Sequence, residues 1–315
     1  MRAATIRDGE LHVEEHPDPA PGAGELLVRV HAAGVNGADL HQLAGRYPAP
    51  PGAPPDIPGL EFAGEVIGVG PGARRFGPGD RVMAIVGGGG QAELCVVHER
   101  QAMPVPERLG RLEAGGVPEV FTTAHDALFT QADLRIGERL LVTGAAGGVG
   151  TAAVQLAAAA GARVIATVRR AELREAVLAL GADEAVDPGA FAAHGPFDVV
   201  LELVGAPNLP GDVEALAPDG CVVVIGIGAG AKAEVNLGAL MARRATLHSS
   251  SLRPRPLEAK AATARAMERH VLGLFERGAV RVPVAAGYPL ERAADAYERF
   301  RAGGKLGKVI LEVAP

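Results

Sequence analysis

Apolar and polar positions alternate over short stretches in the first third of the chain, and clusters of Gly or Pro separate these stretches. Examples are ELLVRVHAAGV, EFAGEVIGVG and DRVMAIV. A period of two is typical of half-buried β-strands, and Gly and Pro clusters are typical of turns. The pattern therefore predicts a mostly β domain over residues 1–118.

From residue 119 the pattern changes to apolar strands that alternate with helical segments. The strands read RLLVTG, RVIATV, DVVLELVG and CVVVIGIG, and helical stretches such as GVGTAAVQLAAAAG lie between them. Regular alternation of strand and helix predicts right-handed crossovers and a parallel sheet covered on both faces. We expect residues 119–251 to form a doubly wound α/β domain.

The last part of the chain, residues 252–315, has a different pattern. A Pro-broken stretch, LRPRP, leads into a helical segment from Glu258 to Arg277, a YPL turn, the helix ERAADAYERF and the strand KVILEV. We expect this segment to return to the first domain, which makes the β domain discontinuous.

Composition and charge exclude several function classes. The 315 residues suffice for two domains, and 48% hydrophobic with 22% charged residues is typical of a globular rather than a disordered chain. A net charge of −6 provides no basic stripe, so nucleic acid is not an expected partner. The N-terminus lacks a signal core and no long apolar run is present, so neither export nor membrane insertion is expected.

The chain has only two cysteines, Cys95 and Cys221, which lie far apart in the sequence. Neither has a second Cys or a His at ligand spacing, so the sequence predicts neither a disulfide framework nor a structural zinc site. Their sparse use fits a reducing cytoplasm, which is the expected location.

A glycine-rich turn lies between an apolar strand and an Ala-rich helix in LLVTGAAGGVGTAAVQLA. Glycines let the backbone approach a pyrophosphate, whose charge is met by N–H groups at the start of the helix. The spacing departs from G-x-G-x-x-G because an alanine holds the first glycine position. A turn that only packs helix on strand is the alternative. The predicted dinucleotide contacts are Gly144, Ala145, Gly147, Gly148, Val149 and Gly150.

Basic residues follow the second strand of this domain, where an NAD-specific site would place Asp or Glu. The stretch reads ATVRRAELR, with Arg169, Arg170 and Arg174 where a 2′-phosphate would lie. Guanidinium groups bind phosphate through paired hydrogen bonds, so NADPH is the predicted cofactor. The alternative is a solvated face at a helix start, although Arg at that end opposes the helix dipole.

The chain resembles the medium-chain dehydrogenase/reductase superfamily and, within it, the zinc-free quinone oxidoreductases. The motifs that carry the resemblance span nearly the whole chain and include AAGVNGADLHQLAGRYPAPPG, IPGLEFAGEVIGVGPG, PGDRVMAI, PEVFTTAHDAL and AAGGVGTAAVQLA. GRYPAPPG and LRPRP resemble the branch with the p53-inducible quinone oxidoreductase-like proteins. The resemblance implies a GroES-like domain, a Rossmann domain and NADPH-dependent hydride transfer to a quinone or a related conjugated carbonyl compound.

The resemblance also implies a homodimer formed through the nucleotide-binding domain, by addition of one edge strand to another. We expect the apolar segment CVVVIGIGAGAKAEVNL to form this interface.

Zinc-dependent relatives differ from this chain at their metal site. They carry Cys where this chain has Asn36, His where it has Leu60, and a third ligand near Glu119. An amide, an alkyl chain and one carboxylate do not make the three-ligand site of a catalytic zinc, so no metal is expected.

The resemblance places Asn36, Asp39 and Tyr47 in the substrate cleft as the predicted catalytic residues. Hydride transfer needs groups that orient the substrate and stabilise developing oxyanion charge, and Tyr47 is the expected hydrogen-bond donor to the quinone oxygen. The alternatives are packing of Tyr47 at the rim beside Pro48 and a turn role for Asn36.

Further cofactor contacts follow from the resemblance. Thr123 is expected beside the nicotinamide, with helix capping as the alternative. Gly226 and Gly228 follow a strand at the carboxyl end of the sheet, where a simple turn is the alternative. Lys305 is expected near the phosphates unless it is only solvated, and Leu252 completes the predicted cofactor-binding set.

Two other functions remain open. Polyketide enoyl reductases of acyl thioesters share AAGGVG, but GRYPAPPG offers only Arg46 as a basic rim for a pantetheine phosphate. A non-catalytic NADPH-binding regulator or RNA-binding protein is the second alternative, and the acidic balance of the chain counts against it.

Overall fold

The computed structural model describes residues 1–313, which fold into two compact units. The first unit comprises Met1–Thr122, Leu252–Gly303 and the residues from Lys308 onward. The second comprises Thr123–Ser251 and Gly304–Gly307. Residues 252–303 thus share a unit with the N-terminal segment, whereas four residues near the C-terminus belong to the second unit.

The described residues contain fifteen strands and ten α-helices. The strands are β1 (Arg2–Arg7), β2 (Glu10–Glu15), β3 (Glu25–Val35), β4 (Glu61–Val69), β5 (Arg81–Ile85), β6 (Leu94–His98), β7 (Met103–Pro104), β8 (Arg139–Val142), β9 (Arg163–Thr167), β10 (Glu184–Val186), β11 (Phe197–Glu202), β12 (Leu216–Val224), β13 (Thr246–Ser249), β14 (Val284–Pro289) and β15 (Lys308–Glu312). The helices are α1 (Gly37–Leu43), α2 (Arg111–Gly115), α3 (Pro118–His125), α4 (Gly148–Ala159), α5 (Arg174–Leu178), α6 (Leu209–Glu214), α7 (Leu237–Arg243), α8 (Leu257–His270), α9 (Leu272–Glu276) and α10 (Ala293–Arg301).

The first unit is built on a mostly antiparallel sheet. Its strand order is β14-β15-β3-β4-β5-β7, with β6 paired to β3, and β1 and β2 form a separate hairpin. Buried positions alternate with less buried ones along the first part of β3, as the period-two pattern predicts. The core of this unit joins side chains from both ends of the chain, including Val30, Phe62, Tyr297 and Val309.

The second unit contains a six-stranded parallel sheet in the order β10-β9-β8-β11-β12-β13. Strand order reverses at β8, and the crevice beside such a reversal is where ligands of open α/β sheets bind. Leu141, Ile165, Val200 and Val222 bury the sheet on one face. The predicted α/β class, with a mostly β unit and a doubly wound parallel sheet, is confirmed.

Three short strands, β10, β13 and β14, were not predicted from the sequence pattern. Tyr288 and Pro289 of the segment predicted as a YPL turn form the end of β14, an edge strand that pairs in parallel with β15 and tolerates proline at its end, and Leu290 follows the strand. The edge strands β10 and β13 lacked a clear apolar pattern. Because β13 pairs with Cys221–Val224, the strand part of the predicted dimer segment is interior and offers no free edge.

Within residues 1–313, no helix combines the length and the apolar character needed to cross a membrane.

Two carboxyl groups meet in the interior of the second unit. Asp212 on α6 is fully buried, and neither of its carboxyl oxygens receives a hydrogen bond from the described residues. Glu202, at the end of β11, accepts hydrogen bonds from the backbone N–H groups of Val204 and Gly205 and from the Asn208 amide. Burial, reinforced by the Glu202 carboxylate, raises the pKa of Asp212 to about 9 from an ordinary value of 3.8. Asp212 is therefore held protonated at neutral pH.

This pair predicts a specific pH dependence of stability. Between the unfolded and the folded pKa, only the folded chain binds the Asp212 proton, so the free energy of unfolding falls as pH rises, by up to about 1.4 kcal/mol per pH unit. In Asp212→Asn this contribution is absent. The variant should exceed the wild type in stability at pH 8 by about 1 kcal/mol or more, measured by urea unfolding between pH 5 and 8.

Asp8→Asn, in an exposed turn where Asp8 has a φ of 52° that asparagine also adopts, is the matched control. An Asp212→Asn variant that loses as much stability as the wild type between pH 5 and 8 contradicts the assignment.

Candidate functional site

A buried hydrogen-bonded ion pair lies at the start of α1 in the first unit. Lys308 Nζ lies 2.6 Å from Glu61 Oε1, and the two side chains are 3% and 0% exposed. The same ammonium donates to Asn36 Oδ1 at 2.6 Å and to the Val35 carbonyl at 3.2 Å. Asn36 Nδ2 in turn donates to Glu61 Oε1 at 2.9 Å. The Asn36 amide is thus bonded to both members of the ion pair.

The surrounding backbone completes the environment of Glu61. Its second oxygen accepts from the Glu119 backbone N–H at 2.8 Å. A Cβ atom at Gly34 would lie 2.1 Å from Glu61 Oε1, so only glycine fits there. Strand β3 therefore approaches the carboxylate without a side chain between them.

The structure shows the surroundings of the three residues that stand where zinc-dependent relatives carry their metal ligands. Asn36 is held by the ion pair, Leu60 is 2% exposed within the apolar core, and Glu119 lies at the start of α3. Across residues 1–313, no group of three or more His, Cys, Asp or Glu side chains is arranged to hold a metal ion.

Asp39 lies beside this network on α1 and is fully buried. Its carboxylate accepts hydrogen bonds from the backbone N–H groups of Asn36 and Gly59 and from the Gln91 amide at 3.3 Å. Gln91 Oε1 also accepts from the Tyr297 hydroxyl. Burial raises the pKa of Asp39 to about 7, against the lowering effect of the two backbone N–H donors and of the Lys308 charge. Asp39 thus fixes the turn that carries Asn36, and its contact with substrate stays a prediction.

Tyr47 lies half-buried in the loop after α1 and is held by an arginine that the sequence reasoning missed. Arg253 is only 3% exposed, and its guanidinium lies 4.9 Å from the centre of the Tyr47 ring. It donates to the carbonyls of Tyr47 and Gly87 and to Gln42 Oε1 at 2.6 Å. Burial lowers the pKa of Arg253. The only sequence signal for Arg253 is its place in LRPRP, a stretch that indicates the family resemblance but no role for this side chain.

The glycine-rich turn of the second unit joins β8 to α4. Gly144 has a φ of 59°, and Gly147 is the N-cap residue of α4. A Cβ atom at Gly150 would lie 2.6 Å from the Ala145 Cα, so the helix can start this close to the turn only with glycine there. The first backbone N–H groups of α4 have no partner within the helix. This arrangement fits a dinucleotide pyrophosphate, whose charge those groups can neutralise.

The predicted arginines lie directly after β9 in the same unit. Arg169 and Arg170 are exposed, whereas Arg174 donates to the Val168 carbonyl and pairs with Asp187 at 3.0 Å. A Cβ atom at Gly304 would lie 2.3 Å from Arg170 Cζ, so the guanidinium packs directly on the Gly304 backbone. Arg169 and Arg170 are therefore exposed, with Arg170 in an exposed ion pair with Glu172 at 3.5 Å, and Arg174 has an intramolecular partner in Asp187.

Residues 304–307 contact the glycine-rich turn. The Gly307 N–H donates to the Ala146 carbonyl at 2.9 Å, and Gly307 bridges to Gly147. Lys305 Nζ donates to the Gly307 carbonyl at 2.8 Å. The segment brings the predicted residue Lys305 to the unit that carries the glycine-rich turn.

The other predicted cofactor residues occupy different surroundings. A Cβ atom at Gly226 would lie 2.1 Å from the Leu203 carbonyl oxygen, whereas one at the exposed Gly228 would meet nothing within 4 Å. Thr123 is 7% exposed on α3. Leu252 is buried in the first unit, in the wall of a small cavity. Of Gly226 and Gly228, only Gly226 thus has to be a glycine, because another part of the backbone lies too close for a side chain.

Two known protein families match successive parts of this chain. Residues 22–129 match the alcohol dehydrogenase GroES-like domain family, and residues 148–268 match the zinc-binding dehydrogenase family. The quinone oxidoreductase of Rattus norvegicus is 34% identical over 304 residues, which cover 93% of this chain and 90% of the relative. The chain belongs to the quinone oxidoreductase family. The resemblance to the medium-chain dehydrogenase/reductase superfamily is confirmed.

Relatives of this family occur in plants and bacteria as well. A chloroplast envelope quinone oxidoreductase homolog of Arabidopsis thaliana is 34% identical over 322 residues, covering 96% of this chain and 94% of the relative. The quinone oxidoreductase of Pseudomonas aeruginosa is 32% identical over 320 residues, covering 96% of this chain and 95% of the relative. The family membership makes this chain an oxidoreductase.

Solved structures share the whole architecture. An NAD-dependent alcohol dehydrogenase superposes with a TM-score of 0.88 at 29% identity, and 100% of both chains is covered. A thermostable alcohol dehydrogenase from Pyrobaculum aerophilum has a TM-score of 0.86 at 30% identity, with 99% of both chains covered. The family and its Rossmann unit imply a nicotinamide nucleotide cofactor.

Breaking the ion pair in the first unit should lower the stability of the protein strongly. Lys308→Met leaves the Glu61 carboxylate buried without its counter-charge, which should lower the free energy of unfolding by about 3–5 kcal/mol in urea unfolding. Adding Glu61→Gln removes the uncompensated charge, so the double variant should recover a large part of this loss. A double variant as unstable as Lys308→Met contradicts the electrostatic origin of the effect.

Proposed function

We propose that this quinone oxidoreductase family member reduces quinones or related conjugated carbonyl compounds with NADPH, by hydride transfer and without zinc. The observation that carries the choice of cofactor is the pair of exposed guanidinium groups directly after β9. At this position an acidic residue would bind the free 2′-hydroxyl of NADH, whereas arginine matches a 2′-phosphate. The family name of the curated relatives supports the substrate class.

The second unit offers groups whose chemistry matches the cofactor. The backbone of Gly147 to Gly150 can receive the pyrophosphate at the start of α4, and the Arg170 guanidinium packs on the Gly304 backbone. Packing against glycine restricts the guanidinium, so less side-chain entropy is lost when it binds phosphate. Arg174 would act at longer range, because Asp187 already neutralises part of its charge.

The bound nicotinamide supplies the hydride, so the chain has to orient the substrate and stabilise the oxyanion that develops on the carbonyl oxygen. We assign the donor role to the Tyr47 hydroxyl. Arg253 restricts the loop, because it packs on the Tyr47 ring and bonds the Tyr47 carbonyl. A donor that is held in place before the reaction stabilises the transition state without a reorganisation cost.

Independence from zinc follows from the chemistry of the side chains that replace the ligands. The Asn36 amide is already bonded to Lys308 and Glu61, and the Leu60 side chain has no lone pair to donate. A nearby ammonium group also repels a divalent cation. Carbonyl polarisation is therefore assigned to hydrogen bonding.

We propose that the protein forms a homodimer through the edge strand β13 and helix α7. Leu237 and Met241 on α7 are 70% and 78% exposed, and Leu247 on β13 is 43% exposed. β13 pairs on one side only within the described residues, so a second copy can extend the sheet.

The cofactor assignment predicts a change of specificity. The double variant Arg169→Ala/Arg170→Ala should lose about 10- to 100-fold in kcat/KM for NADPH and little for NADH, because one or two charge-assisted hydrogen bonds to phosphate disappear. Initial rates with saturating 1,4-benzoquinone measure both values. Arg163→Ala, at the opposite end of β9, is the matched control. Equal losses with both cofactors would refute the phosphate contact.

The donor assignment predicts that Tyr47→Phe lowers kcat for 1,4-benzoquinone about 10- to 100-fold at unchanged KM for NADPH, because the variant lacks only the hydroxyl. Tyr288→Phe is the control, since Arg292 packs on the Tyr288 ring in the same manner. Crotonyl thioester is the comparison substrate: faster turnover of the thioester than of the quinone points to an enoyl reductase instead. An unchanged kcat in Tyr47→Phe removes Tyr47 from the reaction.

The dimer proposal predicts that Met241→Glu and Leu247→Glu shift the protein to a monomer in sedimentation velocity, because each buries a charge at the joined surface. Ile136→Glu, at an apolar residue that is 85% exposed elsewhere in the second unit, should leave the dimer intact. A wild type that sediments as a monomer at all concentrations excludes the dimer.

A further inference from the structure

A buried arginine in the first unit carries a positive charge without a carboxylate in contact with it. Arg253 is only 3% exposed, and within residues 1–313 its guanidinium donates to neutral oxygens alone. These acceptors are the Gly87 carbonyl at 2.7 Å, the Tyr47 carbonyl at 3.1 Å and Gln42 Oε1 at 2.6 Å. The arginine thus connects three segments of the unit and forms no ion pair with any of them.

The charged groups around Arg253 do not neutralise it. Asp39 and Glu119 attract it through space, and neither accepts a hydrogen bond from it in the part of the chain that the structure describes. Burial, and after it the Arg253 charge, lowers the pKa of Lys260, so a second cation lies nearby. Burial lowers the pKa of Arg253 as well, but a guanidinium stays protonated in proteins. The positive charge therefore persists in the interior.

The hydrogen bonds of Arg253 do not by themselves require a charge. A neutral amide side chain also donates to carbonyl oxygens, and it would bury no charge. Burying a charge without a counter-ion in contact is unfavourable, which is why Lys308 lies 2.6 Å from Glu61 in the same unit. The unfavourable burial of the Arg253 charge therefore points to a use of the charge itself.

The Tyr47 side chain is the group on which this charge acts. The Arg253 guanidinium lies 4.9 Å from the centre of the Tyr47 ring, which is within the range of a cation–π interaction. The loop that carries Tyr47 is also fixed near its other end, because Gln42 Nε2 donates to the Pro55 carbonyl at 3.2 Å. Since Arg253 is buried, water screens its charge little. The Tyr47 phenol is thus held beside a fixed cation.

We propose that Arg253 is a positioning residue that acts through Tyr47, and that its charge makes the first unit bind a phenolate more tightly than the corresponding neutral phenol. A cation beside the ring strengthens the Tyr47 O–H as a donor to a negatively charged oxygen. The inference rests on the proposed function and names the form in which the product is held. A quinone that accepts a hydride gains two electrons and one proton, which makes it the hydroquinone monoanion, and water supplies the second proton on release.

The absorbance of bound 4-nitrophenol tests this preference without any turnover. The phenolate form of this ligand absorbs visible light far more strongly than the neutral phenol, so the spectrum gives the ratio of the two forms in the complex. The full chain is titrated without cofactor, at the pH at which half of the free ligand is ionised. The wild type should bind the phenolate about tenfold more tightly, so that about nine-tenths of the bound ligand is ionised. Equal affinity for the two forms overturns the proposal.

Substitutions of Arg253 separate its charge from its hydrogen bonds. Arg253→Gln should abolish the preference for the phenolate, whereas Arg253→Lys should keep most of it, although lysine lacks the planar fork of arginine. Arg292→Gln is the matched control and should bind as the wild type does, because Arg292 packs on the ring of Tyr288 at the surface of the same unit. Where Arg253→Gln does not fold, Arg253→Lys decides alone, and a folded lysine variant without the preference overturns the proposal.

Trypsin cleavage after the exposed Arg46 reports whether a substitution has released the Tyr47 loop. A role of the charge predicts that Arg253→Gln loses the preference for the phenolate while the bond after Arg46 stays as protected as in the wild type. Loss of the preference only in variants that also become cleavable after Arg46 assigns the effect to the structure of the loop and overturns the proposal.

A double-variant cycle connects the charge to the reaction. Arg253→Gln should lower kcat for 1,4-benzoquinone about tenfold at unchanged KM for NADPH, and less than about threefold when Tyr47→Phe is already present, because the charge acts through the missing hydroxyl. Equal losses with and without Tyr47→Phe overturn the proposal. A wild type that does not oxidise NADPH with the quinone counts against the proposed function alone, because the 4-nitrophenol result does not depend on turnover.

Discussion

The buried ion pair between Glu61 and Lys308 is the interaction on which the first unit depends. Both charges have lost their water, and they compensate each other only because the Asn36 amide and the backbone N–H of Glu119 satisfy the remaining atoms. The two residues are 247 positions apart in the sequence, so the pair joins the N-terminal strands to the last strand. The start of α1, and with it the loop that carries Tyr47, is positioned from this point.

The second unit depends on a steric constraint instead of a charge. Helix α4 starts so close to β8 that a side chain at position 150 would collide with the backbone. This proximity directs free N–H groups toward the crevice where the strand order reverses, and residues 304–307 pair with the same turn. Close packing thus produces a turn that fits a nucleotide, and we propose that the side chains that follow β9 decide which nucleotide it prefers.

Local patterns predicted the parts of this molecule that are determined locally. The strand, glycine-rich turn and helix around Gly147 follow from adjacent residues, as does the parallel order of the buried strands. The edge strands β10, β13 and β14 escaped prediction because their residues are only half-buried or exposed, so no apolar periodicity marks them. Lys308 had no recognisable signal, and Arg253 had only its place in LRPRP, because the partners of both residues are distant in sequence.

The chain contains two kinds of charged group. One is the buried ion pair that stabilises the first unit, and the other is the exposed pair of guanidinium groups that we propose as the phosphate site. Glu61 and Lys308 neutralise each other inside the first unit, whereas the guanidinium groups of Arg169 and Arg170 after β9 are exposed, and we propose that they bind a phosphate. Calorimetric titration of the wild type with 2′,5′-ADP and with 5′-AMP isolates this second charge from all chemistry at the nicotinamide. The account predicts that 2′,5′-ADP binds about tenfold or more tightly and that its advantage shrinks as salt is raised. Equal affinity for the two fragments at low salt would contradict it.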